Sequence, residues 1–288
     1  MNQMNFIRSV FAEILRVIIK IPYVGEKFWG ICCKKIISLN LFKNVTKKVK
    51  IGDNILLELN ISDWIQMNLF FVGAYEMAEL QFAKKTIPKE GCFIDIGANI
   101  GLYSLIIAKS VGEKGKVIAF EPFSTNYRSL LKNISLNSIT NIIVEQQAIS
   151  DDNKQIELYY DQFDNNLGMT SSYKSKYSHK EIVDAVSIDN YLEKHHIDNI
   201  HLIKIDIEGG ELLALSGMKK TLIRYEPVLI IEVDENILAS TPYKKQDILE
   251  FLAYLNYDMY YIDNNGNIST NEINKKRKNL AFIKAEKK

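Results

Sequence analysis

The sequence lacks the uninterrupted apolar run of about 18 residues that a membrane-spanning helix needs. Its apolar start, MNQMNFIRSVFAEILRVIIK, is interrupted by Glu13 and Arg16 and is a poor secretory signal. Cysteine is also scarce, and Cys32, Cys33 and Cys92 form neither a disulfide framework nor a zinc-ligand spacing. We therefore expect a protein of the reducing cytoplasm, assign no metal-binding residues, and leave metal dependence open.

Neither sign of charge is in large excess, since the net charge over 288 residues is +1. The charges are unevenly distributed, however. Residues 1–50 carry ten Lys or Arg and two Asp or Glu, whereas the remainder carries 26 Lys or Arg and 33 Asp or Glu. We therefore expect a basic extension before the main domain, and no nucleic-acid partner.

The basic extension begins with a predicted amphipathic helix. Its apolar residues follow the i, i+3, i+4 spacing of a helix face and are Ile7, Val10, Phe11, Ile14, Leu15 and Ile18. Basic residues lie off this stripe. Two interpretations follow: the helix caps the main domain, or residues 1–21 make peripheral contact with the inner membrane surface or dock a partner.

Strand-like and helix-like segments alternate from residue 91 onward, beginning with CFIDIG and LYSLIIAKSV. This alternation predicts βαβ units and a parallel sheet with helices on both faces. The two final strand-like segments have no helix between them, which predicts an antiparallel edge. We expect a helical extension at 1–50, a hairpin (VKIGDNILLELNI) and helix at 51–90, and an α/β domain at 91–288 with an insertion at 151–186.

A glycine loop, DIGANIG (95–101), joins the first strand of this domain to a helix, where glycine lets the backbone approach a ligand closely. Glu121 follows 20 residues after Gly101, at the end of the second strand, where an acid can accept both hydroxyls of a ribose. The loop has neither GxGxxG nor a Walker lysine. Asp95 would repel a pyrophosphate but suits a cationic amino-acid group. The pattern therefore favours S-adenosylmethionine, which carries no phosphate.

FIDIGANIG, AFEP and LIKIDIEGGE, in this order, resemble the FkbM-type family of S-adenosylmethionine-dependent methyltransferases. NISLN, SIDNYL, the strand at 227–232 and NLAFI add weaker agreement, and the resemblance covers roughly residues 70–285. It implies the Rossmann-like class I methyltransferase fold, an α/β fold with a seven-stranded, mostly parallel sheet whose last strand is antiparallel. It also implies O-methylation of a sugar, a glycan or a related small-molecule acceptor.

The resemblance implies seven cofactor-binding positions. They are Asp95, Gly97, Ala98, Asn99, Gly101, Glu121 and Ala148. The residues of the glycine loop would line the methionine end of S-adenosylmethionine, Glu121 would hold the ribose, and Ala148, at the end of the third strand, would lie near the adenine. Tyr75 and Glu76, in the family-like GAYE, either cover the cofactor or pack.

The fourth strand, LIKIDIE, carries a charge at every second position. The spacing puts Lys204, Asp206 and Glu208 on one face, opposite the isoleucines. Because ligands bind at the carboxyl ends of such strands, we expect this series to run from the core into the cleft. We expect Lys204 to pair internally and Asp206 or Glu208 to take the proton of the acceptor hydroxyl, with Asp206 the first choice. The structural alternative is an ion network with the following helix.

Other candidates are weaker. Glu211 is expected at a helix start, where the dipole favours an acid, and Glu232, at the fifth strand's end, is a secondary candidate for the acceptor pocket. His179 lies in the insertion. It either acts as the base for the acceptor or is a solvated loop residue. Acceptor specificity is expected to lie in 151–186 and in the N-terminal segment.

The main alternative function is a nucleotide-sugar glycosyltransferase, in which Asp206 and Glu208 form a DxD-like metal site. The presence of Asp95 in the glycine loop argues against phosphate binding. A nicotinamide oxidoreductase is disfavoured by the missing GxGxxG, and a non-catalytic binding module is disfavoured because the motifs are intact.

Overall fold

The computed structural model describes residues 3–21, 24–160, 179–272 and 278–285. The chain forms two compact units, the first ending at Tyr75 and the second beginning at Glu76. The elements of the first unit are α1 (Gln3–Ile19), α2 (Val24–Ser38), β1 (Thr46–Ile51), β2 (Ile55–Asn60) and α3 (Trp64–Phe71).

The β1–β2 hairpin confirms the prediction from VKIGDNILLELNI. The strands pair antiparallel with Ile51 opposite Ile55, and the turn falls on the glycine-containing tripeptide between them. β2 buries alternate residues, among them Leu57 and Leu59, so one face of the hairpin contributes to the core.

The apolar stripe predicted for α1 is largely exposed. The helix buries Ala12, Leu15 and Ile19, whereas Phe11 is 47% and Ile14 is 55% exposed. The other large exposed apolar residues of this helix are Met4, Phe6, Ile7, Val10 and Val17. The helix therefore packs through one narrow edge and presents a broad apolar face to solvent. None of the helices in the described part of the chain has both the length and the apolar character of a membrane-spanning segment.

The described part of the second unit contains two sheets flanked by helices. Its strands are β3 (Cys92–Ile96), β4 (Lys116–Phe120), β5 (Ile142–Glu145), β6 (Ala148–Ile149), β7 (Lys154–Tyr160), β8 (His179–Val186), β9 (Ile200–Ile205), β10 (Val228–Glu232), β11 (Tyr257–Ile262), β12 (Ile268–Ser269) and β13 (Asn279–Lys284). Its helices are α4 (Met77–Thr86), α5 (Leu102–Val111), α6 (Ser124–Ser135), α7 (Ile188–His195), α8 (Glu211–Ser216), α9 (Lys219–Tyr225), α10 (Glu235–Leu238) and α11 (Lys245–Tyr254).

The main sheet has the strand order β12-β11-β13-β10-β9-β3-β4-β5. β5, β4, β3, β9 and β10 pair in parallel, whereas β13 is antiparallel to both β10 and β11. This is the predicted class I arrangement, with β12 as a short addition at one edge. The antiparallel strand is not at the edge, however. The first four residues of β13 are buried, and its position between β10 and β11 lets both of its sides form hydrogen bonds.

Two elements predicted as continuous are broken. The segment IIVEQQAIS divides into β5, in the main sheet, and β6, in a three-stranded sheet of order β6-β8-β7. The predicted helix at 211–225 divides into α8 and α9 near Gly217. A side chain there would not fit, because a Cβ on Gly217 would lie 2.0 Å from the carbonyl oxygen of Ser150.

The insertion predicted at 151–186 is partly regular. β7 and β8 pair antiparallel from Lys154 opposite Ala185 to Tyr160 opposite His179. Residues 161–178, between them, lie outside the described residues.

Candidate active site

The carboxyl ends of β3, β9 and β10 bring the predicted site residues together. Asp95 of β3 pairs with Lys204 of β9, which pairs with Ile230 of β10, so their side chains share one face of the sheet. β9 ends at Ile205, but the Asp206 N–H still donates to the carbonyl oxygen of Ile96, 3.0 Å away. Asp206 therefore keeps the strand alternation, and its side chain lies on the Lys204 face.

Gly97 joins the glycine loop tightly to the end of β9. Its φ of 83° lies in the left-handed region, and a Cβ there would be 1.9 Å from the carbonyl oxygen of Asp206. Only glycine allows this approach. The backbone of the predicted cofactor loop thus touches the backbone of Asp206, which carries one of the predicted acceptor-side carboxylates.

Asp95 is 1% exposed and lies at the base of the glycine loop. Its Oδ2 accepts a hydrogen bond from Ser104 Oγ at 2.5 Å, and its Oδ1 has no hydrogen-bond partner. Burial raises the pKa of this carboxyl, although Lys204 and Ser104 oppose the shift. A buried acceptor oxygen without a partner requires a donor, and a ligand ammonium or a water would supply one.

Glu121 follows β4 and is held by the backbone. One carboxylate oxygen accepts from the Asn99 N–H at 2.7 Å and the other from the Phe123 N–H at 3.0 Å. Each oxygen keeps a second lone pair for a ligand hydroxyl. Burial raises the pKa of Glu121 from 4.5 to about 7, against the effect of these two donors.

These features fit S-adenosylmethionine. The orphan oxygen of Asp95 suits the ammonium group, the fixed carboxylate of Glu121 suits the ribose hydroxyls, and Gly97 leaves room for close approach. Ala98 is 5% exposed. Its N–H and that of Gly97 both donate to the carbonyl oxygen of Phe120, which fixes the loop over β4.

Ala148 is not at the end of the third strand of the main sheet. It belongs to β6 and pairs with Ala185 of β8. The chain leaves the main sheet after Glu145, because the segment predicted as one strand is broken there. A position of Ala148 near the adenine stays a prediction.

Among the residues that the structure describes, Lys204 is a buried cation of the site. Its Nζ lies 2.6 Å from Asp206 Oδ2 and 4.7 Å from the ring centroid of Tyr103, and the residue is 3% exposed. Burial disfavours the ammonium, but the Asp206, Glu76 and Asp95 carboxylates outweigh it and raise the pKa of Lys204. Burial likewise disfavours the Asp206 carboxylate, whose pKa Lys204 nevertheless holds below the ordinary value. The internal pairing predicted for Lys204 is present.

Glu208 departs from the alternation predicted for LIKIDIE. Its φ of 54° is in the left-handed region, so a turn rather than the strand directs its side chain. One oxygen each of Asp206, Glu208 and Glu232 nevertheless lie within 4.8 Å of one another. Burial and the neighbouring Asp206 charge raise the pKa of Glu208 to about 8, and the same two causes raise that of Glu232 well above its ordinary value.

Two further residues join this group. Glu76 is the N-cap residue of α4, with a φ of 48°, and burial raises its pKa to about 7. Asn279, the first residue of β13, donates from Nδ2 to Glu76 Oε1 at 3.1 Å and pairs with Glu232 across the sheet. The sequence leaves the role of Glu76 open and does not single out Asn279, although both residues lie in the family-like segments GAYE and NLAFI.

The other two candidates, Glu211 and His179, have contacts of their own, and His201 lies at the far end of β9. Glu211 starts α8 and accepts from the Gly209 N–H at 3.0 Å, as expected of an acid at a helix start. His179 packs its ring against Tyr160, with centroids 5.6 Å apart. His201 Nδ1 accepts from the Cys92 N–H at the opposite end of β9.

A sequence model of the Methyltransferase FkbM domain matches residues 95–259, more than half of the chain. Methyltransferase 1 of Beauveria bassiana is 21% identical over 197 residues, which are 60% of this chain and 76% of that protein. Methyltransferase sdnD of Sordaria araneosa is 26% identical over 199 residues, 55% of this chain and 76% of that protein. A crystal structure of Methyltransferase FkbM from Methylobacillus flagellatus KT is 16% identical with a TM-score of 0.45, and the match covers 88% of this chain and 60% of that one.

Proposed function

Since this chain belongs to the FkbM methyltransferase family and is an S-adenosylmethionine-dependent methyltransferase, we propose that it methylates a hydroxyl group of a sugar, a glycan or a related small-molecule acceptor. The observation that carries this proposal is the carboxyl group cluster of Asp206, Glu208 and Glu232 beside the glycine loop. A hydroxyl must give up its proton as its oxygen forms the new bond, and carboxylates are proton acceptors. Family membership removes the glycosyltransferase and oxidoreductase alternatives.

In this proposal, S-adenosylmethionine binds to residues that the surrounding structure already holds in place. Asp95 would bind the ammonium end, Glu121 would accept the ribose hydroxyls, and the Gly97–Gly101 backbone would line the space between them. S-adenosylmethionine supplies a methyl group activated by a positive sulfur. Alignment of the acceptor oxygen with that methyl group is expected to lower the activation free energy most, by about 7–11 kcal/mol.

The proton-accepting role is better suited to Glu208 than to Asp206. Asp206 already neutralises the buried ammonium of Lys204 at 2.6 Å, and its lowered pKa makes it a weak base. Burial and the Asp206 charge raise the pKa of Glu208 to about 8, which is close to the pH at which a general base works best. In this proposal Asp206 and Lys204 position Glu208 and the acceptor, and Glu208 takes the proton.

Product analysis tests the reaction. The full chain is incubated with methyl-labelled S-adenosylmethionine and a panel of free sugars, nucleotide sugars and amino sugars, and the methylated atom is identified by NMR. Label on a hydroxyl oxygen supports the proposal. Label on the nitrogen of an amino sugar, or turnover only with acceptors that lack hydroxyls, contradicts it.

The choice of base is tested with Glu208→Gln. We expect kcat to fall by about 10²–10⁴-fold with S-adenosylmethionine affinity unchanged. Glu235→Gln is the matched control, because Glu235 is an exposed acid three residues after Glu232. Full turnover by Glu208→Gln, with loss of turnover in Asp206→Asn at normal cofactor affinity, would return the role to Asp206.

We propose that the β7–β8 hairpin contributes to acceptor binding. Phe123, two residues after Glu121, packs against Tyr160 with ring centroids 4.7 Å apart, which supports a location of the hairpin beside the cofactor site. Tyr160→Ala is expected to raise the acceptor KM and to leave S-adenosylmethionine affinity unchanged. An unchanged acceptor KM would remove the hairpin from the acceptor site.

We also propose that α1 contacts an anionic membrane surface from the cytoplasmic side. Its exposed apolar face, with Phe11 and Ile14 at its centre, and the basic composition of residues 1–50 support a lipid partner. The test is co-sedimentation of the full chain with phosphatidylserine vesicles, with phosphatidylcholine vesicles as the control. Binding that is lost in Phe11→Ser/Ile14→Ser supports the proposal. Equal binding by this variant, or concentration-dependent self-association in place of vesicle binding, contradicts it.

A further inference from the structure

Two carboxylates from distant parts of the chain bind consecutive backbone amides at the start of α6. The Phe123 N–H donates to Glu121 Oε1 at 3.0 Å, and the Ser124 N–H donates to Glu181 Oε1 at 3.3 Å. The Ser124 hydroxyl donates to the same oxygen of Glu181. Glu121 is the carboxylate proposed for the ribose, whereas Glu181 belongs to β8. The turn before α6 therefore connects the cofactor site to the β7–β8 hairpin.

Glu181 supplies a helix cap that the local sequence lacks. The N-cap residue of α6 is Phe123, whose side chain makes no capping hydrogen bond. The first N–H groups of a helix have no partner within the helix, and the helix dipole favours a negative charge beside them. Glu181 meets both needs from another strand. Gln146, directly after β5, donates from Nε2 to Ser124 Oγ at 3.0 Å, so three segments meet at this cap.

An aromatic contact reinforces the polar one. Phe123 is 4% exposed, and its ring centroid lies 4.7 Å from that of Tyr160, at the end of β7. Tyr160 pairs with His179 of β8, and their rings also pack together. The aromatic and the polar contact thus start from consecutive residues of one turn and end on the same hairpin. Because of these two contacts, this end of the hairpin follows the position of the turn that begins at Glu121.

We infer that Glu181 is a positioning residue for methyl transfer, which couples the β7–β8 hairpin to the ribose carboxylate of Glu121 through the cap of α6. A ligand on Glu121 restrains the turn at 121–124, and Glu181 passes this restraint to the hairpin. When one ligand orders an element that a second ligand needs, the second binds more tightly. The effect is reciprocal, so an acceptor on the hairpin would raise the affinity for S-adenosylmethionine. The coupling itself needs no acceptor, but its use in acceptor binding rests on the proposed function.

Amide hydrogen exchange tests the coupling without any acceptor. The full chain is measured by mass spectrometry with and without saturating S-adenosylhomocysteine. In wild type we expect the ligand to slow the exchange of the β7 and β8 amides by about tenfold. Glu181→Ala is expected to lose this slowing in the hairpin and to keep it in the glycine loop, which reports that the ligand is bound. Asp184→Ala, the matched control, should behave as wild type, because Asp184 is an exposed acid of β8 that accepts from Gln155 within the hairpin.

A second variant removes the other side of the contact. Ser124→Pro deletes both donors to Glu181, the N–H and the hydroxyl, and proline is favoured at the first position of a helix. It is expected to lose the ligand-dependent slowing in the hairpin as Glu181→Ala does. If Glu181→Ala does not fold, Ser124→Pro replaces it under the same criterion.

The deciding quantity is the difference that the ligand makes, because a purely structural Glu181 would change hairpin exchange equally with and without it. No slowing in the wild-type hairpin, or equal slowing in wild type and Glu181→Ala, would overturn the inference. Slowing that is lost in the variants, but with no methyl transfer to hydroxyls, would leave the coupling standing and overturn the proposed function. Hydroxyl methylation with the same acceptor KM and the same hairpin exchange in wild type and Glu181→Ala would do the reverse.

Discussion

The two halves of the active site hold their carboxylates in different ways. On the predicted cofactor side, Glu121 accepts from two backbone N–H groups. On the proposed acceptor side, one oxygen each of Asp206, Glu208 and Glu232 lie within 4.8 Å of one another, and Asp206 pairs with the buried ammonium of Lys204. Backbone donors have fixed positions and fixed partial charges. The net charge of neighbouring carboxylates, by contrast, changes with every proton that they take up. The first half is therefore pre-organised for one unchanging ligand, and the second responds to what is bound.

The largest effect is expected where the two halves touch. Gly97→Ala would place a Cβ 1.9 Å from the Asp206 carbonyl oxygen, at a φ that disfavours side chains. We expect a loss of several kcal/mol of stability and a fall in S-adenosylmethionine affinity of more than about a hundredfold, because backbone on both sides would have to move. Urea unfolding and calorimetric titration measure the two quantities.

Gly112→Ala is the matched control for that substitution. Gly112 has a φ of 81°, nearly that of Gly97, but a Cβ there meets nothing within 4 Å. With its ψ of 176°, Gly112→Ala reports the strain of a side chain in a glycine conformation, about 1–3 kcal/mol, without a contact like that with Asp206. Equal effects of the two substitutions would show that the contact between the halves is unimportant.

The second effect concerns the buried ion pair of the acceptor half. Asp206→Asn leaves the Lys204 ammonium buried without its closest counter-charge, which costs about 3–5 kcal/mol in such pairs. Replacing both residues, Lys204→Met with Asp206→Asn, is expected to recover most of that loss, since no unpaired charge remains. Urea unfolding of the two single variants and the double variant measures the coupling. Additive losses in the double variant would contradict the pairing.

The sequence predicts the elements on either side of the glycine loop well because its signals there are local. DIGANIG lies between a strand and a helix, and β3 and α5 have the predicted bounds within one residue. The position of Glu121 at the end of β4 follows from the same alternation. Hydrophobic periodicity and glycine placement depend on neighbours in the chain, so they can be read without the fold.

The acceptor half is harder to predict because it depends on contacts between distant segments. Asn279 is close to Glu76 only because β13 inserts between β10 and β11. Glu208 leaves the alternation at a single left-handed residue, which no spacing rule reveals. The fold class could therefore be predicted from the sequence, together with Lys204 as the internal partner. The full set of charged neighbours could not.

The third effect is a pH dependence of the cofactor half. Burial raises the pKa of Glu121 from 4.5 in the unfolded chain to about 7 in the ligand-free protein. Between these values the folded protein holds a proton that the unfolded chain has released. This contribution to stability is therefore complete below about pH 4.5 and is lost as the pH rises to about 7. Its size is about 1–3 kcal/mol.

Comparison with Glu121→Gln isolates that contribution, because Glu76 and Glu211 shift in the same direction in both proteins. Wild type is expected to lose more unfolding free energy than the variant between pH 5 and pH 7.5, in urea unfolding without ligand. Identical slopes for the two proteins would contradict the raised pKa. S-adenosylmethionine affinity of wild type should rise over the same interval, since the carboxylate is the better acceptor for ribose hydroxyls.

The smallest effect is expected for a substitution at the opposite end of β9. This substitution serves as a reference for the substitutions in both halves of the site. His201 is the extra residue of a bulge between β9 and β3, since Cys92 pairs with Ile200 and Phe93 with Leu202. Its Nδ1 accepts the Cys92 N–H at 3.1 Å. His201→Ala would leave that N–H unsatisfied and is expected to cost about 1 kcal/mol, with kcat and S-adenosylmethionine affinity unchanged. A change in kcat comparable to that of Glu208→Gln would show that charge at the two ends of the strand is coupled, and that the carboxyl end does not act alone.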